Sequence, residues 1–264
     1  MYEFNFNRPA SIADALTAIA DADDGQFMAG GQTMIPVLKQ RLAMPSDVVE
    51  LANIDDLKGI AVDSGTVTIG AMTPHSEVHN SLEVADAIPA LADLAGMIGD
   101  PHVRNRGTIG GSVANNDPAA DYPAAVVGLG ATIVTDRREI AGDDFFVDLF
   151  ETALAEGELI TAVRFPVPHK AAYMKFPNPA SRYAIVGVFV SQSNGDVRVA
   201  VTGAGPCVFR EVAMETALAA DFSADAVSRI SVLGEEFNND IHASAEYRAH
   251  LVTVMAKRAV IKAG

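Results

Sequence analysis

Two short glycine-centred stretches hold the residues best suited to chemistry in this chain. They are Ala29-Gly30-Gly31-Gln32-Thr33, leading into Met34, and Thr108-Ile109-Gly110-Gly111-Ser112. Paired glycines have no Cβ, so backbone N–H groups lie open and an anion such as a pyrophosphate can come close. Directly after the second stretch stands Asn115-Asn116-Asp117-Pro118-Ala119-Ala120-Asp121-Tyr122-Pro123. Carboxylates such as Asp117 and Asp121 accept hydrogen bonds from ribose or adenine without any need for positive charge. Two backbone cradles followed by such acceptors suggest a nucleotide clamped from both sides.

The elements around the first cradle read as a β-α-β-α-β run. Residues 2–6 alternate as a strand, and Ser11-Ile12-Ala13-Asp14 opens a helix reaching Ala20 in capping-box fashion. Residues 26–29 form a short strand into the loop, 34–41 a helix with Pro36 in its first turn, and 48–51 the next strand. This arrangement delivers the loop to a helix N-terminus, where the macrodipole favours an anion by roughly 0.3–1 kcal/mol. From Ile60 the pattern changes to a hairpin across Asp63-Ser64-Gly65. Thr73-Pro74-His75-Ser76-Glu77 reads as a helix start, with Thr73 as N-cap and Pro74 at the first helical position. Residues 88–98 are expected as a helix, 131–135 as a strand, 145–154 as a helix and 159–165 as a strand. Tyr122-Pro123 opens a small-residue helix.

Pro166-Val167-Pro168-His169 reads as a linker, which divides the chain into residues 1–168 (lobes of about 1–57 and 58–168) and a C-terminal unit, 169–264. In that unit, residues 184–192 and 196–202 pair across Ser193-Asn194-Gly195, and helices are expected at 212–220, 224–234 and 246–262. The fold class is α+β with mixed sheets.

Bulk properties narrow the function. The formal net charge of −15 opposes nucleic acid, whose phosphates demand a basic face. An anionic nucleotide is still admissible, because distant charge is screened beyond about 8–10 Å whereas contacting N–H donors are not. No apolar run approaches the roughly 20 residues of a membrane span. The start, Met-Tyr-Glu-Phe-Asn-Phe-Asn, lacks a basic and an apolar export region, so nothing indicates export, and with one cysteine and hence no intrachain disulfide a cytoplasmic protein is expected. Cys207 is the single cysteine. A thiolate-ligated iron–sulfur cluster takes four ligands, so any such cluster must come from a partner.

Taken together, three motifs closely resemble the FAD-binding medium subunit of the molybdenum hydroxylases, the family of aerobic carbon monoxide dehydrogenase and xanthine dehydrogenase. They are Ala29-Gly30-Gly31-Gln32-Thr33, the run from His102-Val103-Arg104-Asn105-Arg106-Gly107 through Ser112, and Asn116–Pro123. The likeness extends over nearly the whole chain, through Glu158-Leu159-Ile160, Tyr173-Met174-Lys175-Phe176, Ser181-Arg182-Tyr183-Ala184 and His242–Arg248.

The resemblance implies a two-lobed vanillyl-alcohol-oxidase-type (PCMH-type) FAD-binding domain followed by a small α+β C-terminal domain. It implies that Ala29, Gly30, Gly31, Gln32, Thr33 and Met34, with Thr108, Gly110, Gly111 and Ser112, hold the pyrophosphate. Asp121 would contact the adenosine part with Asn115 and Asp117 nearby, and the Leu159-Ile160 backbone would approach the flavin ring. Lys175 would lie near that ring and Tyr183 would cover one face of it. The first loop departs from the family by having Thr33-Met34 where Ser-Leu is common, and it keeps a hydroxyl. The partners implied are an iron–sulfur small subunit and a molybdenum-cofactor large subunit, assembled as a dimer of heterotrimers. Electrons would pass from the iron–sulfur subunit to the flavin and on to an external acceptor.

Other features have blander readings. Gly203-Ala204-Gly205-Pro206-Cys207-Val208 is half of a dinucleotide fingerprint, but Val208 replaces the third glycine and Pro206 removes an N–H, so it reads as a strand-to-helix turn. His75 and His79 stand at helical spacing without the glutamate of a zinc-protease motif, which favours a solvated or packed pair over a metal site. Arg104 and Arg106 serve either structural bonding or electrostatics beside the flavin. Two further readings of the whole chain stay open: a self-sufficient FAD-dependent reductase, and a scaffold with the fold but no working flavin.

Overall fold

The computed structural model describes residues 1–264. Its first layer is a small parallel sheet in which Asp47–Glu50 lies between Asn5–Asn7 and Gly25–Met28. Parallel strands need a crossover, and the helix Ile12–Ala20 supplies the one between the two outer strands. Ser11 caps it, its Oγ accepting the Asp14 N–H at 3.1 Å. The chain then passes from Met28 through the first glycine loop into the helix Met34–Lys39. Ala15, Val49, Leu51, Ile54 and Leu57 form the core of this part, closed by Met72 and Leu159 from beyond it.

The second layer is a five-stranded antiparallel sheet in the order Ile60–Asp63, Thr66–Gly70, Ile160–Pro166, Thr132–Thr135, Glu139–Ala141. Its central strand comes last in sequence, so everything between Gly70 and Thr132 is an excursion over the sheet. That excursion contains the short helices His75–Asn80, Leu82–Ala87, Pro89–Gly96, Pro101–Arg106, Ile109–Asn115 and Tyr122–Gly128. The second glycine loop therefore sits on the excursion's return path.

A third sheet, antiparallel throughout, is formed by Lys170–Pro177, Ala184–Ser193, Asp196–Thr202 and Phe209–Arg210. Successive side chains on a strand face opposite ways. Val186, Val188 and Val190 accordingly pack with Met214 and Leu218 of Val212–Ala220 and with Val252, Met255 and Ala256 of Ala245–Ala263. Phe189 turns the other way into the largest core, together with Tyr122, Val126 and Ile133. Apolar packing therefore runs continuously from the second sheet into the third.

Three expectations give way. Residues 145–154 do not form a helix; a short helix, Gly142–Phe145, is followed by strands Phe146–Asp148 and Glu151–Thr152. Asn116 enforces this hairpin by donating from Nδ2 to the carbonyls of Asp148 and Glu151, both at 2.8 Å, and Phe150 turns it at φ +55°. The helix expected at 224–234 ends at Ser228, because Ile230, Val232 and Phe237 leave helical spacing to pack on the C-terminal core. Thr73 is not an N-cap. Its Oγ1 bonds both the N–H and the carbonyl of Gly59, and Pro74 stands at the N-cap of His75–Asn80 instead.

Candidate functional site

The two glycine loops meet. A Cβ on Gly30 would overlap the Arg106 carbonyl oxygen and lie 2.9 Å from the Gly107 Cα, so only glycine lets the loops approach this closely. A Cβ on Gly111 would lie 3.2 Å from that of Ala29. Gly31 has φ +73°, the left-handed region that turns the first loop into its helix.

Hydrogen bonding divides the loops sharply. The N–H groups from Ala29 through Met34 make no hydrogen bond within the chain. Such a run of unpaired donors is an anion-binding concavity. In the second loop the Ile109 N–H donates to the Thr73 carbonyl (3.2 Å) and Gly110 to Ala71 (2.8 Å). The Ser112 N–H donates to the Thr108 carbonyl (3.0 Å), and that of Gly111 to Thr108 Oγ1 (3.1 Å), which caps the helix Ile109–Asn115. The glycine pair that promised open donors has its amides bonded, and its contribution is closeness: a Cβ on Gly110 would lie 2.6 Å from that of Ala71.

Between the loops lies a cavity of about 650 Å³. Ala29, Gly30, Gly31, Gln32, Thr33, Met34, Thr108, Gly110, Gly111, Ser112, Asn115, Asp117, Asp121, Leu159, Ile160 and Tyr183 all line it. Lys175 does not; its Nζ is held by Asp121 Oδ2 at 2.8 Å and the Met97 carbonyl at 3.0 Å, behind the wall. At Leu159 both backbone groups engage Asp136, the N–H donating to Oδ1 at 2.7 Å and the carbonyl accepting the Asp136 N–H at 2.9 Å.

The loop from Asp117 to Asp121 is shaped from two directions. Asp117 Oδ1 accepts the Ala119 N–H at 2.9 Å, an Asx turn that follows the left-handed Asn116. From the third sheet, the Gly203 N–H donates to the Pro118 carbonyl (2.8 Å), Ala184 to Ala119 (3.2 Å) and Thr202 Oγ1 to Ala120 (2.7 Å). That is the role of Gly203: its φ is +85°, and a Cβ would meet the carbonyl oxygens of Ala184 and Ile185. Its stretch leads into the strand Phe209–Arg210 before any helix.

Electrostatics within the wall follow from burial. Burial raises the Asp117 and Asp121 carboxyls above their usual range, opposed at Asp121 chiefly by Lys175. Hydrogen bonding from Arg138 holds Glu158 down at about 2. Burial, followed by the charge of Arg104, lowers His75 to about 4, so it is neutral at physiological pH. Spacing alone treated His75 as half of a packed or solvated pair, yet it lines the cavity. Ser181 and Arg182 line it as well; the stretch Ser181-Arg182-Tyr183-Ala184 carries part of the resemblance, but only Tyr183 was given a role from it. Arg104 proves a structural bonder, its Nη1 donating to the Ile98 and Gly99 carbonyls at 3.0 and 3.1 Å.

A bare N–H cradle facing a tight glycine turn, with the Asp117 and Asp121 carboxylates farther along one cavity, marks a dinucleotide-binding protein. Residues 2–168 match the family model for the FAD binding domain in molybdopterin dehydrogenase, and residues 171–263 that for the CO dehydrogenase flavoprotein C-terminal domain. The chain is 36% identical to the nicotine 6-hydroxylase medium subunit of Paenarthrobacter nicotinovorans, over 97% of this chain and 95% of that one. It is 35% identical to the carbon monoxide dehydrogenase medium chain of Afipia carboxidovorans, over 98% and 96%. A solved structure of reconstituted CO dehydrogenase from Oligotropha carboxidovorans superposes with a TM-score of 0.90 at 34% identity, covering 99% and 97% of the two chains. The chain belongs to the FAD-binding medium subunits of the molybdenum hydroxylases, and its cofactor is FAD. The residues present fit that cofactor: the open N–H donors of Ala29–Met34, which line the cavity, suit a diphosphate. No helix is long and apolar enough to cross a membrane.

Proposed function

We propose that this chain is the electron-transfer component of a three-subunit molybdenum hydroxylase. It takes electrons from an iron–sulfur small subunit, a molybdenum-cofactor large subunit oxidises the substrate, and the chain hands the electrons to an external acceptor. FAD supplies the electron chemistry when bound, and the protein's part is to hold, orient and shield it. The N–H groups of Ala29–Met34 donate to the diphosphate, and Thr108, Gly110, Gly111 and Ser112 form the close wall opposite. Asp117 and Asp121 accept hydrogen bonds from the ligand, with Asn115 beside them. Leu159 and Ile160 offer a packing surface to the ring, Tyr183 covers it, and Lys175 acts from behind through Asp121. Assembly as a dimer of heterotrimers and a cytoplasmic location belong to the same reading.

The observation that carries this reading is the unpaired amide run facing Gly107–Gly111 across the cavity. Two relatives that match along nearly their whole length are medium subunits by name, which supports the assembly. A single cysteine, too few for a thiolate-ligated cluster, agrees with a donor on another chain. The test is to tag this chain in its native source and isolate what accompanies it. Two further subunits, iron, molybdenum and a flavin that bleaches when the substrate of the complex is added are expected. Recovery of the chain alone, turning over a substrate with its own FAD, would favour the self-sufficient reductase.

A further inference from the structure

Asp121 is gripped on both oxygens from the third sheet. The Tyr173 hydroxyl donates to Oδ1 at 2.5 Å, and Lys175, two residues along the same strand face, donates to Oδ2. Tyr173 is wholly buried, and its ring stacks on Phe189 at 6.2 Å between centroids. Gly187, on the neighbouring strand opposite Lys175, makes room for the hydroxyl, since a Cβ there would overlap it. Two strands thus cooperate to place one hydroxyl on one carboxylate. An ionised carboxylate offers about four acceptor sites. With Tyr173 and Lys175 each taking one, the cavity-lining carboxylate keeps acceptor capacity for a ligand.

We propose that Tyr173 is a positioning residue for the cofactor: its hydroxyl holds the Asp121 carboxylate oriented to accept a hydrogen bond from FAD. This rests on the reading of Asp121 as a cofactor contact. The titratable groups facing Asp121 are Lys175 and Tyr173 on the strand Lys170–Pro177, Tyr122 next in the chain, Tyr183 from the following loop, and Asp117 at the other end of its own loop. Lys175 alone among them bears positive charge. Burial raises the Asp121 carboxyl, while Lys175 and then the Tyr173 hydrogen bond pull it down. Removing the hydroxyl therefore raises it further, so protonation of Asp121, and with it loss of FAD, must begin at a higher pH.

The experiment titrates FAD into the full-length apo-chain by flavin fluorescence, from neutral to mildly acid pH. Tyr173→Phe keeps the stacked ring, and Gly187→Ala displaces the hydroxyl without altering the tyrosine. Both should weaken FAD binding about tenfold at neutral pH, in line with a hydrogen bond to a charged group, and both should move the acid limb of binding to higher pH. Asp121→Asn should weaken binding more and abolish that limb. If Asp121→Asn binds FAD as the wild type does, the contact reading itself fails. If Asp121→Asn is impaired but Tyr173→Phe leaves the acid limb in place, whatever its affinity, the positioning role of Tyr173 is overturned.

Discussion

The two glycine loops share a composition and differ in what glycine does for them. In Ala29–Thr33 the missing side chains leave a run of amides with no partner in the protein, poised for a ligand. In Thr108–Ser112 the amides are bonded to Thr73, Ala71 and Thr108, and the missing side chains let that segment lie against Ala71 and Ala29. One loop is built to donate and the other to approach. The difference comes from context: the first loop follows an edge strand and its amides meet no acceptor, whereas the second crosses beside the chain that leaves the second sheet. Glycine pairs therefore mark close approach, and the hydrogen-bond inventory of each loop decides what does the approaching.

Substitutions can break this division of labour. Gly30→Ala should have the largest effect, because the new methyl meets the rigid Arg106 carbonyl and forces the loops apart. We expect loss of FAD on purification together with destabilisation of about 1–3 kcal/mol, read by absorbance and thermal melting. A variant that purifies yellow would refute the close-approach account. Gly110→Ala should destabilise by a similar amount, about 1–3 kcal/mol, through Ala71. The molecules that fold should keep most of their FAD affinity, since this loop donates no free amide. Equal loss of affinity in the two variants would erase the distinction.

Smaller changes sharpen it. Thr108→Ala removes the cap on the helix Ile109–Asn115 and releases the Gly111 N–H, at a cost of about 1 kcal/mol measured by denaturant titration. Gly111→Ala should matter least, because its Cβ would sit 3.0 Å from Thr108 Oγ1 and 3.2 Å from the Ala29 Cβ, a squeeze that small shifts relieve. Its FAD affinity should fall within about threefold of wild type, or roughly 0.6 kcal/mol. A complete loss there would mean that Gly111 faces the diphosphate more tightly than its neighbours show.

Local signals carried much of the fold. The Ser11 cap, the Asp63-Ser64-Gly65 hairpin and the pairing of residues 184–192 with 196–202 depend on neighbours within a few positions, and each formed as read. The stretch 145–154 was misread because its partner is Asn116, roughly 30 residues earlier, whose amide holds two carbonyls that helix spacing would have paired internally. Thr73 was misread for the same reason, since Gly59 claims its hydroxyl. His75 gave no signal because its place on the cavity wall depends on the return of Gly107, whose carbonyl accepts the His75 N–H at 3.0 Å.

By itself, the sequence determined the residue chemistry at the cofactor site and the family to which those motifs belong. Glycine pairs, acid spacing and a lone cysteine are properties of residue type and order, and they survive without coordinates. Tertiary structure alone decided which loop keeps its amides free, that Lys175 reaches the cavity only through Asp121, and that the third sheet grips the Pro118–Asp121 segment. Each of these is a competition for hydrogen-bond partners among residues tens of positions apart. Buried polar groups must pair wherever the fold brings a partner, and only the folded chain says where that is.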